Sequence, residues 1–149
     1  MSTIDDLKSQ LDARKITFDP PSGTSERLKK ELLGENEGTK VTALLQELIL
    51  KISKLNNIRI SSIIRDEGFH GSGRAFDIGN EEIAGTLLPI VATDDKVQQF
   101  KIDEIIFDAG VAGESDRNKW NYDAGKKHNF DTATLEKHKN HIHFSVINS

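Results

Sequence analysis

A chain of 149 residues with 36% hydrophobic and 30% charged side chains is long enough for one domain with a buried core and needs no cross-links to hold it. It contains no cysteine, which excludes a disulfide framework and the usual cysteine-rich structural zinc sites. A formal net charge of -4 argues against nucleic acid as the partner, because that partner selects a basic face.

In chain order, Ile4, Leu7, Leu11 and Ile16 recur at near-helical spacing and predict a helix over Ile4 to Ile16, ended by Asp19-Pro-Pro-Ser-Gly. A second short helix is expected over Ser25 to Leu33, with Gly34 closing it. Thr39 is placed to cap the strongest helix in the chain, in which Val41, Leu44, Leu45, Leu48, Ile52 and Leu55 form one apolar stripe. Residues 1–38 read as an N-terminal helical arm and 39–149 as a helix-sheet core.

Isoleucine-rich Ile58 to Arg65 predicts a strand, followed by a glycine-bearing loop, Asp66 to Gly73, that carries His70. Arg74 to Ile78 reads as a short strand with Ala75 and Asp77 on one face and Phe76 and Ile78 on the other. Asn80 is placed to cap a helix through Ile83, Leu87 and Leu88, with Glu81 and Glu82 favoured at its positive end. Asp94 to Phe100 reads as a helix and Ile102 to Phe107 as a strand. Asp108 to Thr134 is long, polar and glycine-bearing, which fits either a groove wall with Trp120 or Tyr122 as a contact, or a surface loop anchored by those rings. His128 reads as a surface residue, and Thr132 to Lys137 as one helical turn.

Three of the five histidines lie within the six positions from His138 to His143. Read as a strand, His141, His143 and Ser145 share one face, and Ile142, Phe144 and Val146 the other. Paired histidines also occur on solvated strands, so this motif alone decides nothing. Together with His70 and Asp77 upstream, however, it offers His, Asp and His from separate segments with a fourth position open, which is the donor set of a catalytic zinc site.

The pattern His70-x-x-Gly73-x-Ala75-x-Asp77, followed much later by His141-x-His143, resembles the zinc peptidases that group D-alanyl-D-alanine carboxypeptidases and murein endopeptidases with lysostaphin and the hedgehog signalling domain. The resemblance spans roughly Ile58 to Val146. It implies that His70, Asp77 and His143 bind zinc, that His141 and His138 are active-site histidines, and that Arg65 faces the substrate. The chain departs from the family where many members have serine two positions before the first histidine, here Gly68, and where one branch has a glutamate three before the last ligand, here Asn140. The second departure leaves the version of the mechanism that uses histidine.

The expected fold is therefore α+β, with a small, mostly antiparallel sheet and helices packed on one side, similar to the hedgehog and D-alanyl-D-alanine peptidase domains. One zinc peptidase domain covering 1–149 would hydrolyse peptidoglycan stem or crosslink peptides at a D-amino-acid bond. A zinc held by two neutral imidazoles and a carboxylate keeps a net positive charge and can bring the pKa of a bound water to about 7. His141 and His138 would manage the proton, Arg65 would grip a substrate oxygen, and Asp66 and Glu67 stand as reserve candidates for the base. The competing expectation is a zinc-containing binding module without turnover. The chain is expected to be a monomer, with no membrane span and no secretory signal in its first residues. It would reach the cell wall after lysis or by non-classical export.

Overall fold

The structure, a computed structural model, describes residues 2–19, 23–65 and 68–148. It is α+β, with a mixed seven-stranded sheet whose strands lie side by side in the order β1 (Ile16–Phe18), β2 (Ile58–Ser62), β3 (Ala75–Ile78), β7 (Ile142–Val146), β4 (Ile102–Ile106), β5 (Tyr122–Asp123) and β6 (Lys126–Lys127). The first helix, α1 (Thr3–Asp12), is capped by the Ser2 hydroxyl, which accepts from Asp5 N. It ends sooner than its spacing predicts, because Arg14 turns left-handed at φ 58° and Ile16 enters β1 (Ile16–Phe18). The helices α2 (Gly23–Leu33) and α3 (Ala43–Ser53) then cross over to β2 (Ile58–Ser62), which pairs with β1 in parallel. Such a crossover is what parallel neighbours require.

The cap of α3 is Thr42 and not Thr39: the Thr42 hydroxyl accepts from Leu45 N at 3.2 Å. Leu45, Leu48, Ile49 and Ile52 of α3 are buried, whereas Leu55, expected in the same stripe, lies past the helix end and is exposed. The backbone leading into α3 presses on the turn after His70. Thr42 N donates to Gly73 O, and a Cβ on Gly73 would lie 2.2 Å from the Lys40 carbonyl oxygen. Gly73 also has φ +72°, a conformation that glycine adopts without steric cost.

One helical turn, α4 (Gly68–Gly71), carries His70 and leads to β3 (Ala75–Ile78). A 3-10 turn over Glu81–Ile83 precedes α5 (Ala84–Val91). Asn80 makes no capping bond there; its side chain accepts from Arg59 N and donates to Asn57 O, joining two strand ends. Next come α6 (Asp94–Gln99) and β4 (Ile102–Ile106), then the long loop, which contains a 3-10 turn at Ala109–Ala112 and the hairpin of β5 (Tyr122–Asp123) and β6 (Lys126–Lys127). Trp120 and Tyr122 are buried anchors of this loop, and Tyr122 Oη donates to Asp94 at 2.9 Å. The last elements are α7 (Thr132–Glu136), capped by Asp131, and β7 (Ile142–Val146).

β7 lies centrally, antiparallel to both β3 and β4. Phe76 and Phe144 are paired across β3 and β7 and stack at 5.6 Å between ring centroids. With Ile78, Ile142 and Val146 they form the core face, where burying each such side chain contributes about 1.5–3 kcal/mol. Leu7, Ile16, Leu28 and Leu32 join the same cluster, so the first 38 residues supply both a strand and core side chains. Among the described residues no helix is long and apolar enough to cross a membrane.

Candidate metal centre

The strand alternation that sends Phe76 and Phe144 into the core sends Asp77 and His143 to the opposite face, and the register sets them directly opposite each other. His70 reaches the same point from α4, where all three side chains are buried. One donor atom from each of His70, Asp77 and His143 lies within 4.8 Å of the others, and these three can hold a metal ion. Asp77 Oδ1 is 3.4 Å from His70 Nε2 and 3.1 Å from His143 Nδ1. Donors about 2.0–2.1 Å from a tetrahedral zinc stand about 3.4 Å apart, so both separations suit that geometry.

The two histidines are oriented from behind. His70 Nδ1 donates to the Ile63 carbonyl oxygen at 2.6 Å, which leaves Nε2 as a lone pair facing Asp77. That Nε2 is buried with no hydrogen-bond partner. Leaving such an atom unsatisfied costs about 1–3 kcal/mol, a cost that a metal ion held between these three side chains would remove. His143 uses both nitrogens: Nδ1 meets Asp77, and Nε2 meets Glu104 Oε1 at 2.9 Å.

The charges follow from this packing. Burial pushes the Asp77 carboxyl up, but the hydrogen bond and charge of His143 outweigh it and hold the group well below the usual carboxylate range. For His143, burial pushes the pKa down, while Asp77 and Glu104 raise it to about 9 in the metal-free protein. A metal ion must displace that proton before it can use Nδ1.

His138, His141 and Arg65 surround the open side. The His138 ring lies 4.9 Å from His141 and 6.0 Å from His143, centroid to centroid. Its Nδ1 donates to the Thr134 carbonyl oxygen, a bond made possible by the position of His138 at the end of α7. His141 Nδ1 is held by Asn140 Oδ1 at 2.8 Å, and its Nε2 is 4.0 Å from Asp77 Oδ2. Burial lowers the pKa of both His138 and His141 below 6.5, so both are neutral at pH 7 and each keeps Nε2 as a base. Arg65 Nη1 lies 3.8 Å from Asp77 Oδ2, with half of the side chain exposed. Beside Arg65 a cavity of about 640 Å³ is lined by Arg27, Lys30, Glu31, Thr39 and Ile64.

The structure thus brings together all six residues singled out in the sequence: His70, Asp77 and His143 as donors, and His138, His141 and Arg65 around them. Asp66 and Glu67, the reserve bases, lie outside the described residues. His128 is exposed and packs on Phe130, apart from the cluster. Glu104 was not anticipated. Its signal was the adjacent acids Asp103-Glu104 inside an isoleucine-rich strand, which cannot both satisfy a simple alternation. No family model, curated protein or solved structure matches this chain.

Proposed function

We propose that this chain is a zinc-dependent peptidase that hydrolyses stem or crosslink peptides of peptidoglycan at a D-amino-acid bond. The observation that carries the reading is the buried His70–Asp77–His143 donor set, with the His70 Nε2 lone pair unpartnered and two neutral histidines and an arginine on its open side. The substrate class rests on the resemblance of the His70 to Asp77 and His141 to His143 motifs to the cell-wall peptidases.

Zinc, when bound, supplies a Lewis acid that polarises a water and the scissile carbonyl. His141 Nε2 takes the proton of the attacking water and returns it to the leaving nitrogen, because its lone pair faces the donor cluster and its neutral form prevails at pH 7. His138 stands 4.9 Å away, and its Nε2 lone pair favours the positive charge that develops at His141 when it takes the proton. Arg65 receives a substrate carboxylate or carbonyl oxygen with its planar donor fork, and the cavity beside it accommodates the rest of the peptide. The protein acts as a monomer on wall peptides after lysis or non-classical export.

The test is to incubate the zinc-loaded protein with purified peptidoglycan of several crosslink types and identify released peptides by mass spectrometry. New peptide termini at a D-amino-acid bond are expected. No product from any type would overturn the peptidase reading, and a full zinc complement in that same sample would identify an inert zinc-binding module.

A further inference from the structure

Outside the donor set, one half-buried acid contacts the site from behind. Glu104 lies on β4, and its Oε1 is 2.9 Å from His143 Nε2, on the ring edge turned away from Asp77. The same oxygen accepts from the Ser145 hydroxyl at 3.2 Å, while Ser145 Oγ accepts from Glu104 N at 3.0 Å. Glu104 is therefore tied to the neighbouring strand at its backbone N–H and at one carboxylate oxygen.

A fault in the β4 ladder puts it there. Ile102 pairs with Val146, yet Glu104, and not Asp103, pairs with Ser145, and Ile106 pairs with His143. The extra residue at Asp103 is a β-bulge, which shifts the facing of every residue after it. Without it, Asp103 would oppose Ser145 and Glu104 would oppose Phe144 on the core face. With it, Ile102 and Ile105 both stay in the core and Glu104 turns to the histidines. Glu104 stands at the far edge of the His143 ring and does not belong to the set of mutually close donors.

We propose that Glu104 is the positioning residue of this centre: by accepting Nε2–H from His143 it fixes the tautomer and ring angle that present the Nδ1 lone pair to the metal. The proposal rests on the metal-binding reading of His70, Asp77 and His143. A metal-ligating histidine that donates its second N–H to a carboxylate is held in one orientation and becomes a better donor, and loss of such a partner typically weakens metal affinity about 10–100-fold. Glu104 and Ser145 form the outer part of that relay, supplied by β4 and β7.

Zinc affinity is measured by competition with a chromophoric chelator for the full chain, Glu104→Ala and Glu104→Gln, with circular dichroism confirming the fold of each. Glu104→Ala should bind zinc about 10–100-fold more weakly, and Glu104→Gln should recover most of that loss, because an amide oxygen can accept the same bond. In 113Cd-loaded, 15N-histidine-labelled protein, metal–nitrogen coupling should appear at His143 Nδ1 in the parent and the glutamine form, and weaken or move to Nε2 in the alanine form. A parent that takes up no metal removes the metal reading itself. A parent that binds, with Glu104→Ala binding equally well through Nδ1, overturns the positioning role alone. Equal losses in the alanine and glutamine forms also overturn it, since the hydrogen bond would then not be the cause.

Discussion

Asp77 and His143 are directly opposed residues on adjacent antiparallel strands, and Asp77 Oδ1 lies 3.1 Å from His143 Nδ1. Directly opposed side chains on one sheet face stand about 4.5–5.5 Å apart at Cβ, so two donors can converge without any loop having to be ordered. Only His70 must be delivered from outside the ladder, and Ile63 O and the Gly73 turn hold it.

The donor set leads to a stoichiometric expectation. Protein prepared without chelator should carry close to one zinc per chain, and alanine at His70, Asp77 or His143 should abolish stable binding. His128→Ala should keep the full complement, because His128 is exposed and outside the cluster. Elemental analysis of the four variants and the parent decides this, and an unloaded parent that also fails zinc titration would refute the site.

His141 and His138 face the donors without belonging to the donor set. His141→Ala should retain zinc and lose about a hundredfold or more in kcat on muropeptides, the usual contribution of a general acid-base group. His138→Ala should show a milder loss. Zinc content and product release are measured on the same samples; loss of zinc in both variants would make these residues supports of the metal and not proton carriers.

Arg65 has an exposed guanidinium 3.8 Å from Asp77 Oδ2. If it receives a substrate oxygen in two-pronged fashion, Arg65→Lys keeps fold and zinc and loses activity, since a point ammonium cannot replace the fork. Wild-type turnover in the lysine form would reduce Arg65 to an ion-pair partner of Asp77.

The metal-free protein should show a pH-dependent stability that originates at His143. Its folded pKa, raised by Asp77 and Glu104 against the effect of burial, is about 9, compared with 6.5 ordinarily. Its contribution is thus fully present below about pH 6.5 and is lost as pH rises through about 9. Asp77, held well below its ordinary 3.8, contributes above that value and loses its effect only in acid. Thermal melts of chelator-treated protein should therefore fall in Tm between pH 6.5 and 9, and His143→Gln should remove most of that slope. A flat profile in the metal-free parent would contradict the pairing.

Gly73→Ala should destabilise the fold by about 1–3 kcal/mol or more, from a left-handed φ and a Cβ driven into the Lys40 carbonyl. Because the turn that bears His70 must shift, zinc affinity should fall with it. Chemical denaturation measured beside chelator competition checks both effects, and unchanged stability would show that the Lys40 backbone can yield.

The α+β class and the two polar strand faces were legible in the sequence because strand alternation is local: Asp77 against Phe76, and His143 against Phe144, need only a period of two. The helices over 25–33, 94–100 and 132–137 were legible for the same kind of reason, since the residues that form them are close neighbours in the chain, with the caps Thr93 and Asp131 directly ahead of the last two. Where one end of an element depends on a distant partner, the sequence reading failed. Ile16 leaves α1 to pair with Ile58, Asn80 spends its side chain on Arg59 and Asn57 instead of a cap, and Thr42, tied to Gly73, takes the capping position expected of Thr39. The tertiary structure alone decided the register that opposes Asp77 to His143 and the bulge at Asp103 that turns Glu104 towards the histidines. Register is a property of two strands brought together across many residues, and a shift of one position reverses every facing, so no single stretch of sequence contains it.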